Sequence, residues 1–586
     1  MSISRKVKKV LKKFPYDISF VVDEGIVLLE GEVNSHQEWV KIGLNIGDIK
    51  GVKGVVNEIR WKGMKEGKTR AERRENIASK NERKRLGKHE VVIIGGGIIG
   101  CSIARELSKF KVDVALVEKG PDVSLGQTRA NNGMVHPGLA PSKGSLKRRL
   151  NVRGNEMYGE LCEELDVPFK RVGSLILITS RTLKKYKRYL PLGLNTGFCK
   201  YILPWLVKKK ADRNRLKGVE ILRGDDIKKE VKGVTDDVIS AVKIPSTGIV
   251  DPYELTIALY ENAKKNGVDF YLDTEVVGFA KEDSMIRGVI TDKGVLGAHH
   301  VVNAAGLYSD EIAELADTKE FTIHPRKGVE LLFNKRIQDD VEHCLTELTL
   351  PSHPTSKGGG INPTVHGNII WGPTAKEIES KKDTSVDKKD IDEIMERYSK
   401  VLPDFPRSEF IRYFAGVRAP SFTEDFIIRP AKEVQNLLHV AAIQSPGIAS
   451  APAIAEYSVE MLDKMGLKLE RDESFDGSRR AMDRAAEMSD DELRSRIQEE
   501  QRWGNIVCTC EMVSEAEIIE AINRGAESFD AIKRRTRAGM GECQESYCLL
   551  RIADIMSKEL DIPLKNVKKE WAESEFFDGT VRGEEG

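Results

Sequence analysis

The chain is 586 residues long, with 93 Lys and Arg against 92 Asp and Glu, a formal net charge of +1. That length accommodates three or four domains, and the charge balance excludes a global field that would gather nucleic acid or an anionic membrane. No apolar run reaches the ~18 residues of a spanning helix, and the basic start MSISRKVKKVLKKF leads into no secretory apolar core. A cytoplasmic location is expected, with peripheral association at the inner face of the cell membrane left open.

Residues 1–62 read as a small α+β domain. Val7, Val10, Leu11 and Phe14 have helical spacing, and Ile18, Phe20 and Val22 alternate up to a hairpin turn at Asp23-Glu24-Gly25. Ile26, Leu28 and Val33 continue the next strand, Asn34 or Ser35 can cap a helix carrying Trp39, Ile42 and Ile46, and GVKGVVNEI returns as a strand. This αββαβ order, with its GxVxLxGxV-like segment, resembles a BON domain, which implies a docking module. A packing domain without a partner of its own remains the alternative. Residues 63–88 hold almost no large apolar side chains and read as a charged linker.

The stretch 89–120, HEVVIIGGGIIGCSIARELSKFKVDVALVEKG, reads as strand, glycine turn, helix and strand. Gly95, Gly97 and Gly100 make the G-x-G-x-x-G fingerprint: a tight turn, a close approach to a pyrophosphate, and close helix–strand packing. The helix start, Ile98-Ile99, offers N–H groups to the phosphates. Glu118 follows 18 residues after Gly100, where an acid accepts a bond from an adenosine ribose. An ADP-containing dinucleotide is expected here.

Further on come Thr128 through Gly138 (TRANNGMVHPG), TGIVDP before a helix at 253–266, a strand Asp269–Val276, and a strand Val301-Val302-Asn303 ending at Ala304-Ala305-Gly306. HPRKG, PTVHGN with GPT, and Gly416-Val417-Arg418 follow, then a strand Val440–Ile443 and Gln444-Ser445-Pro446-Gly447-Ile448-Ala449 opening a helix that runs to about 464.

On these motifs, residues 89–465 resemble the glycine/D-amino-acid oxidase-type FAD-dependent oxidoreductases, and within them the FAD-dependent glycerol-3-phosphate and L-2-hydroxyglutarate dehydrogenases. The resemblance makes the nucleotide FAD. It implies that Glu118 and Lys119 lie by the ribose and Val276 by adenine, with Ala305 and Gly306 at the nucleotide half. Thr128, Asn132, Gly133 and Val135 then approach the pyrophosphate or flavin, with Gly416, Arg418, Pro446 and Ala449 also at the cofactor. Gly447 and Ile448 open a helix whose N–H groups can face flavin N1/O2 and stabilise the charge of the reduced ring. His136 is the candidate base, because oxidising a carbinol requires removal of the O–H proton and neutral imidazole suits this near pH 7. Arg418 can fork onto a substrate carboxylate or phosphate. Arg326 and Lys357 are further anion-site candidates, and His366 is read as part of the pocket wall.

Four of the eight cysteines are scattered, and Cys508, Cys510, Cys543 and Cys548 cluster near the C-terminus. Such clustering in an intracellular chain points to metal rather than disulfides, and four thiolates suit Zn²⁺ or an iron–sulfur cluster. CTCEMVSEAEI…RAGMGECQESYC resembles the bacterioferritin-associated-ferredoxin-like domain, which implies [2Fe–2S].

The expected architecture is α/β (α+β overall): a BON-like domain at 1–62 and a linker at 63–88, then at 89–465 a Rossmann-type FAD-binding domain interleaved with an antiparallel-sheet substrate domain. A linker at 466–501, a small helical [2Fe–2S] domain at 502–565 and a tail at 566–586 complete it. The expected activity is oxidation of a small anionic hydroxy substrate, foremost sn-glycerol 3-phosphate to dihydroxyacetone phosphate. Electrons would then pass through the cluster to a partner subunit or carrier, in an oligomer or hetero-complex without nucleic acid. L-2-hydroxyglutarate, another 2-hydroxy acid or an amino acid is the alternative substrate, and a flavin-bearing scaffold is the non-enzymatic alternative.

Overall fold

Ser2 caps the first helix, Ile3–Leu11, by accepting from the Arg5 amide, and Val7 and Leu11 are its buried face. The strands Ile18–Asp23 and Ile26–Val33 pair antiparallel across Glu24-Gly25, both at positive φ (47° and 94°). Ser35 caps the helix His36–Gly47, and Gly54–Asn57 returns parallel to the second strand. The sequence order αββαβ is therefore the observed one. The computed structural model describes residues 2–64, 78, 84–182, 195–348 and 359–577, so Lys357 and most of the 63–88 linker lie outside the described residues.

This first module is seated on the rest of the chain. Phe422 enters its core beside Trp39, Ile42 and Ile46. A Cβ on Gly43 would lie 2.4 Å from the Phe422 ring, and one on Gly47 would lie 2.0 Å from the Phe422 carbonyl oxygen. The helix is stripped of side chains where Phe422 docks. The Asn57 amide also donates to Thr322 Oγ1 (3.0 Å) and Arg429 Nη1 to the Lys53 carbonyl (3.1 Å).

The dinucleotide half is built on parallel strands Arg85–Ile94, Val114–Val117, Val295–Asn303 and Leu437–Ala441, with Asp269–Tyr271 at the edge beside Val114–Val117. Helices Ile98–Leu107, Leu146–Glu164, Pro252–Lys265 and Gly447–Lys464 supply much of one large core against it. Two local readings shift. The strand expected at Asp269–Val276 breaks at Asp273 (φ 49°), where the amides of Asp273 and Thr274 bond the carbonyls of Gly120 and Glu118; Val276 opens a separate strand, Val276–Glu282. Ala442 (φ 58°) ends the last parallel strand before Ile443.

The second sheet, nine mostly antiparallel strands, runs from Glu220–Leu222 at one edge to Arg326–Phe333, which pairs with Ile369–Gly372, Lys376–Glu377 and Phe410–Arg418. Its strands come from between the segments of the dinucleotide half, as the interleaved reading requires. Alternation decides its faces. Val329, Leu331 and Phe333 enter an apolar core with Trp371 and Phe405, which leaves Arg326, Gly328 and Glu330 on the opposite face.

The C-terminal domain packs helices Glu515–Asn523, Phe529–Thr536 and Leu549–Glu559 on one core. Neither flanking segment is a free strap. Asn262 Nδ2 bonds the carbonyls of Asp476 and Ser478, and Arg479 pairs with Glu261 at 2.6 Å, so part of the 466–501 stretch lies along the dinucleotide half. Past residue 565 the chain folds back: Glu570 is buried between Arg129 and Arg534, and Phe576 meets Phe529 edge-on. Polar composition misleads here because both segments satisfy their charges on other domains.

Candidate functional site

Two of the fingerprint glycines, Gly95 and Gly100, are required by a close approach. A Cβ on Gly95 (φ +115°) would stand 2.5 Å from the Ala304 carbonyl oxygen, and one on Gly100 would stand 1.9 Å from the Gly95 oxygen. The helix Ile98–Leu107 starts at Gly97 with no side-chain cap and no acid in its first turn, which leaves its positive end available to an anion. Thr128 Oγ1 accepts from the Ile98 amide (3.2 Å) and lies over Gly97. Glu118 accepts from the amides of Gly96 (2.6 Å) and Gly120 (2.8 Å). Burial raises its pKa, and those two amide bonds oppose the rise. Lys119 sits 3.6 Å above the Tyr308 ring. Ala305 and Gly306 follow the strand Val295–Asn303 at this same end, Gly306 with φ +54°, and Val276 comes two residues after Thr274, whose amide bonds the Glu118 carbonyl (2.8 Å).

Ser124 tests whether a cofactor fits this cradle. Its amide bonds the Gly96 carbonyl, and its hydroxyl is buried with no partner among the described residues. A buried orphan hydroxyl is costly unless something completes it, and the phosphate of a dinucleotide held over the glycine turn has the right chemistry.

Beyond the cradle, Gln127 ties three segments together, donating to the Ile443 carbonyl and accepting from the Ala419 amide (both 2.9 Å). Asn131 and Asn132 bond the amides of Gly133 and Met134, and Gly133 (φ +70°) would place a Cβ 2.0 Å from the Val250 oxygen. Val135 is in the buried strand Met134–Val135, which carries the chain to His136. The His136 carbonyl accepts from Asn151 (2.9 Å) and Asn155 (3.0 Å), and its Nε2 lies 3.5 Å from Ser445 Oγ. His136 is thereby brought to the residues immediately before Pro446-Gly447-Ile448-Ala449. That segment starts the helix Gly447–Lys464 without a side-chain cap, and Tyr158 holds the Ile448 carbonyl at 2.6 Å.

The polar face of the second sheet closes the site. Gly416 lies against Ala130: a Cβ there would be 2.6 Å from Ala130 Cβ. The Arg418 guanidinium occupies the space that the missing Gly328 side chain leaves, with Nη2 2.5 Å from where a Cβ would stand. It donates to the Thr374 carbonyl (3.1 Å) and forms no ion pair with the described residues. Burial lowers its pKa to about 10, so it stays charged at neutral pH. Next to it, Glu330 is buried with Oε2 unpartnered, and burial raises its pKa to about 8 against the pull of Arg418.

Arg326, read from sequence as an anion-site candidate, is engaged instead with carboxylates: Glu377 on Nε and Glu424 on Nη2, both at 2.6 Å. Its fork is filled by the protein. His366 pairs with Glu254 (3.2 Å) and Asp251 (3.5 Å) rather than lining the Arg418 side. Sequence reading missed Ser124, Gln127 and Glu330. The signal available for Glu330 was an acid inside the apolar strand RKGVELLF.

The four C-terminal cysteines come together as two interacting pairs, Cys508 with Cys548 and Cys510 with Cys543. The neighbouring Cys548 thiol holds the Cys508 thiol below its usual range, helped by amides of Gly539 and Glu511. Amides aimed at sulfur suit a thiolate-bound cluster, and a Cβ on Gly541 would be 2.3 Å from Cys510 Cβ. The domain docks on both halves: Tyr253 donates to Met540 Sδ (3.3 Å) and Arg535 and Arg534 clasp buried Asp122 at 2.7 and 3.0 Å on the flavin half, while Arg412 of the second sheet donates to Gln544 (2.9 Å).

Comparison with known proteins agrees with this geometry. Residues 90–461 match the DAO family model, FAD dependent oxidoreductase, residues 506–558 the BFD-like [2Fe-2S] binding domain, and residues 2–63 the BON domain. A glycerol 3-phosphate dehydrogenase of Caloramator mitchellensis is 38% identical over 84% of this chain and 99% of its own. An anaerobic glycerol-3-phosphate dehydrogenase subunit A1 of Haloferax volcanii is 26% identical over 80% and 83%. Among solved structures, the FAD-bound L-alpha-glycerophosphate oxidase of Mycoplasma pneumoniae superposes with a TM-score of 0.60 at 24% identity, covering 67% of this chain and 99% of its own. The chain belongs to the DAO family of FAD-dependent oxidoreductases and is an FAD enzyme with a BON domain before the catalytic body and a BFD-like [2Fe–2S] domain behind it.

Proposed function

We propose that the enzyme oxidises sn-glycerol 3-phosphate to dihydroxyacetone phosphate. One observation carries the reading: Arg418, a guanidinium with no carboxylate partner among the described residues, stands on the sheet face that packs on Ala130 of the flavin-binding loop. Arg418 binds the substrate phosphate through its fork. His136 accepts the carbinol proton at a ring nitrogen, which frees the C–H bond for hydride loss. Bound flavin supplies the hydride acceptor. The N–H groups at Gly447 and Ile448 would face it, and Ser124, Thr128 and Glu118 would hold its nucleotide portion. Glycerol-3-phosphate dehydrogenases among the relatives support this substrate.

L-2-hydroxyglutarate is the rival, and its second carboxylate would approach Glu330, which burial keeps protonated below about pH 8. Glu330 therefore does not separate the two substrates by charge, and the choice rests on the glycerol 3-phosphate enzymes among the relatives. Cys508, Cys510, Cys543 and Cys548 hold the [2Fe–2S] cluster, which supplies a one-electron outlet towards a further subunit or carrier. The test is anaerobic addition of sn-glycerol 3-phosphate, L-2-hydroxyglutarate and a panel of amino acids to the yellow protein. Bleaching by glycerol 3-phosphate at low concentration is expected; bleaching by another substrate instead, or by none, would reject the assignment or favour a scaffold.

A further inference from the structure

Of the twelve large apolar side chains exposed among the described residues, four fall within six positions. Tyr201 (55%), Ile202 (42%), Trp205 (50%) and Leu206 (44%) lie on a π-turn, Phe198–Ile202, that runs into the helix Leu203–Arg213. Their spacing, i and i+4 twice over, makes one outward stripe. The inward side of the same helix is anchored: Cys199 and Leu203 pack with Ile178, and Ala211 packs with Val242 and Ile244. The stripe is thus presented by a fixed element.

The surroundings of the stripe are strongly basic in a chain of net charge +1. From 198 to 223 there are eight cations (Lys200, Lys208, Lys209, Lys210, Arg213, Arg215, Lys217, Arg223) and two acids, Asp212 and Glu220. The cations also flank the aromatic rings: Lys209 stands 4.6 Å from the Trp205 centroid, and Lys200 and Arg223 stand 5.6 and 5.1 Å from that of Tyr201. An apolar stripe with Trp and Tyr, rimmed by Lys and Arg, has the chemistry of a surface that sinks part-way into a bilayer while its charges meet anionic headgroups.

We propose that residues 198–213 dock this enzyme on an anionic lipid bilayer as an interfacial, non-spanning contact. Charge complementarity selects the occupant. A protein partner would bury such a stripe equally well, but the cations at its rings, Lys200, Lys209 and Arg223, in a segment of eight cations and two acids, fit a dense anionic surface. The patch borders the edge strand Glu220–Leu222, while the cluster domain docks at the far side of the same sheet through Arg412 and Gln544. The bilayer contact therefore leaves the cluster domain uncovered. At the helix end, Asn214 Nδ2 bonds the Gly138 carbonyl (2.8 Å), two residues past His136.

The experiment is co-sedimentation of the FAD- and iron-loaded full chain with vesicles of phosphatidylcholine alone or with a third phosphatidylglycerol. Binding to the anionic vesicles and not to the neutral ones is expected, weakening with added salt. Trp205→Ser with Leu206→Ser should lower the partition coefficient by at least about tenfold, since two large apolar side chains are withheld from the interface. Lys200→Glu with Lys209→Glu should lower it by about fivefold or more per charge. Both variants should keep wild-type substrate-driven flavin bleaching, which shows that they fold. No binding to anionic vesicles, equal binding by the variants, or salt-insensitive binding to both lipids would overturn the proposal. So would a wild-type oligomer that only the apolar variant splits, because that would assign the stripe to a second copy.

Discussion

Arg326 and Arg418 stand directly opposite each other across the strand pair Arg326–Phe333 and Phe410–Arg418, yet only Arg326 is met by carboxylates. Two guanidinium groups on one face are tolerable because Glu377 and Glu424 neutralise the first and leave the second to a ligand. The two arginines should therefore fail differently. Arg418→Lys should raise KM for glycerol 3-phosphate by about one to two decades, the loss of a forked charge-assisted bond, with little change in unfolding. Arg326→Met leaves the part-buried Glu377 and Glu424 without their buried cation and should cost up to about 3–5 kcal/mol of stability. Denaturant unfolding beside steady-state kinetics separates the two. Equal KM effects would place both in the anion site.

Glu330 should impose a pH dependence on stability. Burial raises its folded pKa to about 8 from an ordinary 4.5, against the pull of Arg418. Between those values the folded protein holds a proton that the unfolded chain has released, so stability falls as pH rises through that window and levels above it. Glu330→Gln should therefore be more stable than wild type at pH 8, by an amount on the order of a few kcal/mol, with the gap closing towards pH 4.5. Thermal unfolding across pH 5–9 would show it, and a pH-independent difference would place the Glu330 ionisation elsewhere.

His136→Ala should retain FAD and lose substrate-driven bleaching by roughly two to four decades. The histidine is positioned through its own carbonyl by Asn151 and Asn155, so the backbone survives the substitution. Stopped-flow reduction under anaerobic conditions is the measurement, and an unchanged rate would take His136 out of the proton transfer.

The parts of the site legible in sequence are those that local geometry writes. Gly100 is fixed by the carbonyl of Gly95 in the same turn, Ser35 and Asp251 by the helices they cap, and the cysteines by short spacing. The unreadable parts depend on pairs far apart in the chain. Arg326 looked like a free anion anchor because its partner Glu424 is 98 residues away. The run KRRTR, Lys533–Arg537, looks like a solvated helix end, yet Arg534 and Arg535 are buried against Asp122, more than 400 residues earlier. Burial of a charge leaves no periodic mark when its partner lies on another domain.

Cys510→Ser should leave bleaching by substrate intact and slow delivery of electrons to an external acceptor, if the four thiolates hold the cluster as proposed. Wild-type protein reduced with dithionite should give the low-temperature EPR signal of a spin-half [2Fe–2S] cluster. Zinc without iron after anaerobic preparation would return the domain to a structural role.

The clasp on Asp122 decides whether that domain stays beside the flavin half. Its carboxylate bonds both Arg535 and Arg534, and their charges hold its pKa below the usual 3.8 against burial. A depressed carboxylate contributes stability above its unfolded value and loses it as pH falls through the folded one. Acid should therefore loosen this interface only below about pH 4. Asp122→Asn keeps the shape but leaves two buried guanidinium groups short of charge, a loss of about 3–5 kcal/mol when one partner of a buried pair is removed. Arg129, Glu570 and Arg534 form a second link at 2.6 Å in the same contact, so the domain should weaken its hold rather than detach at once. The variant should bleach with substrate as wild type does, and its electron transfer to an external acceptor should slow. Limited proteolysis should also cut earlier between the flavin half and the cluster domain. Wild-type proteolysis together with wild-type electron delivery would mean that the domain is placed by Tyr253, Met540, Arg412 and Gln544 instead.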